Sequence, residues 1–216
     1  GWTLTDVDDT QMMSATVQIS AGLGSGDTLA AGSLPAGWTQ SYDAGTGTCD
    51  GADAAYATIN AANTAAADGD TIFVCPGTYV EIQINITKAV TLQGSGAAST
   101  IIDGGGGTGL AAAGTLRIRT NTGNVKVDGF TIQNPAAQGA VATGLRFGIS
   151  AKSSAPVTYT ITNNAIKGTF NPTYGSDYGV YTDGPSALET FIFQHNSVEG
   201  TGSNPILIER HAGPTA

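Results

Sequence analysis

Three ten-residue stretches decide how this chain folds: VKVDGFTIQN (Val125 to Asn134), YTITNNAIKG (Tyr159 to Gly168) and FIFQHNSVEG (Phe191 to Gly200). They align without a gap at spacings of 34 and 32 residues, and VTLQG (Val90 to Gly94) matches their first half 35 residues earlier. The first, third and eighth positions of each unit are apolar: Val125, Val127 and Ile132, then Tyr159, Ile161 and Ile166, then Phe191, Phe193 and Val198. Positions five and six hold Gly129 and Phe130, Asn163 and Asn164, and His195 and Asn196, while position ten is Asn134, Gly168 or Gly200. Gly and Asn tolerate the left-handed backbone that other residues avoid, so a sharp bend is expected at both places. Each unit therefore reads as strand, bend, shorter strand, bend.

A second series interleaves with the first: LRIR from Leu116, LRFGI from Leu145, VYTD from Val180 and ILIE from Ile206. Strand series that share one period describe the coils of a parallel β-solenoid, and because no single coil buries its own apolar face, the coils must stack. Upstream, Ile72 and Val74, then Ile82, Ile84 and Ile86, then Val90 and Leu92 alternate largely with polar residues, as half-buried strands do. The Ala-rich stretch 52–67 changes period. Tyr56, Ile59, Ala62 or Asn63, and Ala66 fall on one stripe of a helix, with Asp50 or Asp53 to cap its start and Gly69 near its end. Residues 1–48 are rich in Asp, Gly, Thr and Ser, with alternating runs at Ala15 to Ser20 and Trp38 to Tyr42. Two or three strands of this size cannot bury a core alone and must lean on something else.

The 216 residues include 31 Gly, are 40% hydrophobic and only 12% charged, and carry a net charge of −9. The apolar content excludes a disordered chain, and Gly at this density excludes long helical bundles. Collagen fails because Gly does not recur every third residue, and a membrane span fails because no long apolar run exists. Nucleic acid is not an expected partner, since its affinity rests on clustered Lys and Arg. The chain begins at Gly1 without Met or a signal peptide, which suggests a processed form or a piece of something longer. Cys49 and Cys75 flank the helical segment. A bridge between them would remove about 3 to 4 kcal/mol of unfolded-state freedom and would suit export; two buried free thiols are the alternative.

The run from Cys49 to Gly104, CDGADAAYATINAANTAAADGDTIFVCPGTYVEIQINITKAVTLQGSGAASTIIDG, closely resembles the N-terminal end of right-handed parallel β-helix proteins of the pectin-lyase-like superfamily. The resemblance covers about residues 49–209 and implies an all-β fold: a right-handed parallel β-helix over 49–216, its first coil at GDTIFVCPGTY (Gly69 to Tyr79) and a capping α-helix at about 52–67. Residues 1–48 resemble something else. TDVDDTQMMSATVQIS, SGDTLA, LPAG and SYDAGTGT look like the first part of the β-sandwich repeats of bacterial surface adhesins, broken off at Thr48, which makes this segment a strand-forming N-terminal arm. At the other end the repeat stops at Ile206 to Glu209, and RHAGPTA does not read as a lid.

Many pectin-lyase-like proteins cleave acidic polysaccharides. A lyase needs a base beside calcium-holding carboxylates, and a hydrolase needs two carboxylates at a defined separation. Arg117, Arg119 and Arg146 alternate with Leu116, Ile118, Leu145 and Phe147 and are expected to point outward, with Arg117 and Arg146 stacked on consecutive coils. Tyr181, Asp183 and Glu209 follow on the same face. Arg117, Arg146, Tyr181 and Asp183 are therefore the candidate glycan-binding face, against a plain solvated face with incidental ion pairs. The Asp-rich strand motifs of galacturonan hydrolases are missing, and no catalytic, cofactor-binding or metal-binding residue is assigned. Asp6, Asp8 and Asp9 resemble the calcium-binding linkers of adhesin repeats, although an exposed acidic turn is the commoner meaning of such a run. His195 and His211 have no second ligand near them in the pattern. Asn164 and Asn196 are expected to form an amide ladder, and Asn85-Ile86-Thr87 is a glycosylation sequon set in a strand.

The function expected from these readings is a secreted or cell-surface structural or adhesive module. It would associate with itself through the arm and the open last coil, in a head-to-tail filament. The alternative is a polysaccharide lyase, hydrolase or carbohydrate-binding relative acting on acidic glycans, with an enzyme the less favoured of the two. Membrane insertion is not expected.

Overall fold

A computed structural model describes residues 41–44, 56–120, 122–139, 145–168, 178–184, 189–202 and 204–210; at 41–44, 183–184 and 209–210 only the backbone is described. The chain divides into two units, 1–32 and 33–216, and every described residue belongs to the second. In chain order, strand β1 (Ser41–Ala44) and helix α1 (Ile59–Ala65) precede five coils. The first coil is β2 (Thr71–Val74), β3 (Gly77–Val80) and β4 (Ile84–Ile86); the second is β5 (Thr91–Gly94), β6 (Thr100–Asp103) and β7 (Leu116–Ile118). The third is β8 (Val125–Asp128), β9 (Thr131–Gln133) and β10 (Phe147–Ala151). The fourth is β11 (Thr158–Thr162), β12 (Ala165–Lys167) and β13 (Tyr178–Gly184), and the fifth is β14 (Thr190–Gln194), β15 (Ser197–Glu199) and β16 (Ile206–Arg210).

Like strands of successive coils pair in parallel. The first sheet runs β1-β2-β5-β8-β11-β14, the second β3-β6-β9-β12-β15 and the third β4-β7-β10-β13-β16. This is the strand arrangement of a parallel β-helix. The first strand of each ten-residue unit builds the first sheet, its shorter strand the second, and the interleaved series the third.

The register places one apolar residue above the next. Ile72, Leu92, Val127, Ile161 and Phe193 form one inward column, and Tyr79, Ile102, Ile132, Ile166 and Val198 another. A third column is Ile84, Leu116, Ile149, Val180 and Ile206. Most of these residues are fully buried and belong to one continuous core. Parallel sheets need both ends of every strand turned within a few residues, and the backbone does this at the expected positions. Gly129, Asn163 and His195 have φ of 81°, 57° and 53°, and Asn134, Gly168 and Gly200 have 49°, 67° and 71°.

Asn164 fills the corner between β11 and β12. Its Oδ1 accepts from the Phe130 amide at 2.9 Å, and its Nδ2 donates to Asn196 Oδ1 at 3.0 Å, so the expected amide ladder is present. Tyr159, on the adjoining column with Val125 and Phe191, is fully buried, and its hydroxyl donates to Glu189 at 3.1 Å. Burial first, then the Glu189 charge, push this phenol far above the usual tyrosine value, outweighing the nearby Arg119.

Three expectations are corrected. The helix runs Ile59–Ala65, not 52–67: Thr58 is extended and accepts from the Ala61 amide at 3.1 Å, so the helix starts there, and Ala66 has already left helical geometry. Asp50 and Asp53 lie outside the described residues. The buried stripe Ile59, Ala62, Asn63 and Ala66 does lie where the periodicity predicts. Secondly, Leu116 pairs with Ile149 and not with Leu145. Residues 135–139 are bound to loop 104–114, as in Ala137 N to Gly107 O (2.8 Å) and Gly139 N to Leu110 O (2.8 Å), and Leu145 O accepts in turn from Gln138 N (2.9 Å), so Leu145 and Arg146 still belong to that loop. Thirdly, Arg117 and Arg146 are consequently not stacked, because Arg117 pairs with Ser150.

Helix α1 touches β1, β2 and β4. Its first two amides, of Ile59 and Asn60, donate to the two oxygens of Glu81 at 2.7 and 3.0 Å. Asn60 and Asn63 donate through Nδ2 to Gln83 O and Asn85 O at 2.9 and 2.8 Å, and Lys88 Nζ reaches the last carbonyls of the helix. Strand β1, from the segment expected as an arm, pairs with β2. Cys75 is buried just past β2, and Cys49 lies outside the described residues. Among the described residues no helix is long and apolar enough to cross a membrane.

Candidate functional site: an aromatic cleft on the third sheet

Along the third sheet the outward column is Asn85, Arg117, Ser150, Tyr181 and Leu207. Where it reaches the third to fifth coils it floors an open cleft of about 380 Å³. Ala112, Ala113, Gln138 and Leu145, from the two Gly- and Ala-rich loops, line it together with Arg119, Phe147, Tyr178 and Tyr181. Those loops form an added ladder: Gly109 N donates to Gly139 O at 2.6 Å and Gly139 N returns to Leu110 O at 2.8 Å. Their small residues let two backbones lie side by side beyond the coils.

Phe147 and Tyr181 stack at 4.7 Å with an interplanar angle of 18°, and Tyr178 lies tilted at 5.8 Å from Phe147 and 5.9 Å from Tyr181. The parallel register produces this cluster by placing Phe147 beside Tyr178 and Ser150 beside Tyr181 on neighbouring strands. Arg119 is the cation of the cleft lining. One guanidinium nitrogen donates to Ile118 O and Ser150 O at 2.7 and 2.9 Å, and the other to Ser150 Oγ at 2.8 Å. These bonds hold the planar guanidinium in one orientation against the third sheet. No carboxylate is among the described residues that line the cleft. Its chemistry is ring stacking plus a few oriented donors, which suits binding a polar ring compound.

The four residues of the expected glycan face are scattered. Tyr181 is in the cleft. Arg117 lies two strands away in the same outward column and donates to Asn85 Oδ1 at 3.3 Å. Arg146 turns to the loop and donates to Pro135 O at 2.6 Å. Asp183 pairs with Glu209 through the backbone, and its side chain lies outside the description. Arg119 was legible as an outward residue, whereas Phe147, Tyr178, Ser150 and Leu207 join the cleft through the register. Among the described residues no group of three or more His, Cys, Asp or Glu is placed to hold a metal ion, and Asp6, Asp8, Asp9 and His211 lie outside them.

No protein-family model and no curated protein matches this chain.

Proposed function

We propose that this chain is a secreted or cell-surface structural or adhesive module, a capped right-handed β-helix of the pectin-lyase-like kind that associates through its last coil. One observation carries the reading. Among the described strands, β14, β15 and β16 each lie at one edge of their sheets, and the apolar columns are less covered there than in the coils before: Phe191, Phe193, Val198 and Ile206 are partly buried and Ile208 is 47% exposed. Open sheet edges beside uncovered apolar side chains draw in further β-structure. The occupant is either residues 1–48 of a neighbouring copy, giving the head-to-tail filament, or the same face of a second copy. Light scattering on the purified chain over a hundredfold concentration range tests association directly. A constant monomer mass would remove the reading.

Location outside the cell rests on a Cys49–Cys75 bridge, supported by the lack of a free cysteine among the described residues. Alkylation before and after reduction, read by mass, counts the thiols; two labelled thiols before reduction would rule the bridge out.

The stacked rings of Phe147 and Tyr181 favour a second reading, carbohydrate binding in the cleft, with or without cleavage. A screen of acidic and neutral polysaccharides, by calorimetry for binding and by ultraviolet absorbance for unsaturated products, separates the classes. Tyr181→Ala should abolish binding and Arg119→Ala should weaken it.

A further inference from the structure

We infer that the cleft on the third sheet takes an uncharged sugar chain, stacked on Tyr178 and Tyr181, rather than an acidic one. The inference rests on the carbohydrate-binding reading of that cleft and names the class of its ligand.

One irregularity of β13 decides which rings reach the cleft. In a regular strand, residues three apart face opposite sides. Here Val180 is buried in the third apolar column, and a methyl on Gly179 would also meet core side chains, those of Val198 and Ile166. Two successive inward positions turn Tyr178 to the outer side together with Tyr181. Phe147 is 6% exposed and covers one face of Tyr181, so it supports that ring, while Tyr178 and Tyr181 are half-buried and line the cleft. Tyrosine offers a rigid surface, apolar on its face and polar at its tip, and few rotamers are frozen when it binds. The C–H face of a sugar ring matches that surface, and its hydroxyls can exchange hydrogen bonds with the phenols and with Gln138.

The charges decide between sugar classes. Taking a carboxylate out of water is costly unless a cation or a metal ion meets it. Arg119 is the one charged residue among the described residues of the lining, and it donates through both terminal nitrogens to Ile118 O, Ser150 O and Ser150 Oγ. Arg117 and Arg146, which the sequence offered for an acidic glycan, donate to Asn85 Oδ1 and Pro135 O. None of the described lining residues is a carboxylate that could hold a bridging calcium ion. The chain as a whole carries a net charge of −9, which repels a polyanion at long range. A neutral ring meets none of these costs.

Calorimetry on the full chain tests it, comparing neutral glucan, mannan and galactan with the polyuronates made from each by oxidising the primary alcohols, with and without calcium. At least one neutral polymer should bind, its oxidised counterpart should bind at least about tenfold more weakly, and calcium should not restore it. Tyr181→Leu, which keeps an apolar side chain beside Leu207 but no ring, should weaken binding about tenfold or more, whereas Tyr181→Phe should hold it within about threefold. Circular dichroism checks that the variants fold, and Tyr178→Leu provides the same reading should Tyr181→Leu fail to do so. Stronger binding of a polyuronate, or binding that needs calcium, would overturn the neutral class and leave carbohydrate binding in place. Unchanged binding in folded Tyr181→Leu and Tyr178→Leu would overturn the stacking site. No binding to any of the polymers would overturn both the class and the carbohydrate reading.

Discussion

Removing the amide of Asn164 tests whether the coils are held at their corners or only by their apolar columns. Asn164 is 2% exposed and makes four side-chain bonds: it accepts from Phe130 N at 2.9 Å and donates to Val127 O, Thr162 O and Asn196 Oδ1 at 3.1, 2.8 and 3.0 Å. In Asn164→Ala the Phe130 amide and the Val127 carbonyl lose this partner where water does not reach. A buried group left unsatisfied costs about 1 to 3 kcal/mol, so the two together predict a loss of about 3 kcal/mol. For a chain of this size that lowers Tm by roughly 6 to 12 °C. Asn196→Ala is the internal comparison. Asn196 donates to Ile161 O and Gln194 O at 2.8 and 2.9 Å and accepts from Asn164 N and Nδ2 at 2.9 and 3.0 Å, all in a partly exposed coil where water replaces lost partners at about 1 kcal/mol. Urea unfolding followed by circular dichroism measures both, and the double variant should fall short of the sum because the two amides touch. Equal losses for the two single variants, or less than about 1 kcal/mol for Asn164→Ala, would refute the corner argument and leave the apolar columns as the main tie between coils.

Three further outcomes follow from the same geometry. In Gly179→Ala the new methyl carbon would press into Val198 Cγ1 and stand 2.8 Å from Pro205 O, an overpacking that should cost about 1 to 3 kcal/mol in urea unfolding, whereas Gly107→Ala, with open space around it, should cost little. Tyr159 and Tyr79 have phenols raised by burial first and then by Glu189 and Glu81, so the unfolded chain ionises while the folded chain does not; Tm should fall above about pH 10, and less steeply in Tyr159→Phe. Burial alone would raise the Asp103 and Asp128 carboxyls, but Gln133, the Gly105 amide and Asn134 on one, and Lys126 and Asn163 on the other, hold them below the usual range. Their contribution is complete above about pH 4 and is lost as pH falls further, so an acid titration of Tm should be less steep in Asp103→Asn.

The repeat was legible because bends and columns leave separate marks. Tyr159 pairs with Val125 and Phe191 as the gapless alignment requires, and the left-handed residues fall at its fifth and tenth positions. The third strand was harder to place. All five residues of β10 are buried, since the loops cover what would be its outward face, so no apolar alternation distinguishes Leu145 from Ile149 as the partner of Leu116. The cleft was hidden for the same reason: Phe147, Ser150 and Tyr181 converge only when the true register is known, and Gly- and Ala-rich loops give no sign of forming a wall. The helix start was set by the extended backbone at Thr58, which an Ala-rich run with two acidic cap candidates did not reveal.

The low charge of the chain has a physical origin in this fold. A residue on the outer face of a stacked coil has as nearest neighbours the residues above and below it, about 4.8 Å away. A charge there is favoured beside a neutral or opposite neighbour. Lys126 sits between Thr91 and Thr160, Asp103 between Val80 and Gln133, and Lys167 opposite Glu199, with which it forms an ion pair at 3.2 Å. In each place a hydroxyl, an amide, an apolar residue or an opposite charge separates what would repel. Strand β14, Thr190–Gln194, carries no charge and lies on β11 with Thr190 beside Thr158, Ile192 beside Thr160 and Gln194 beside Thr162, so its outward residues meet hydroxyls and no like charge.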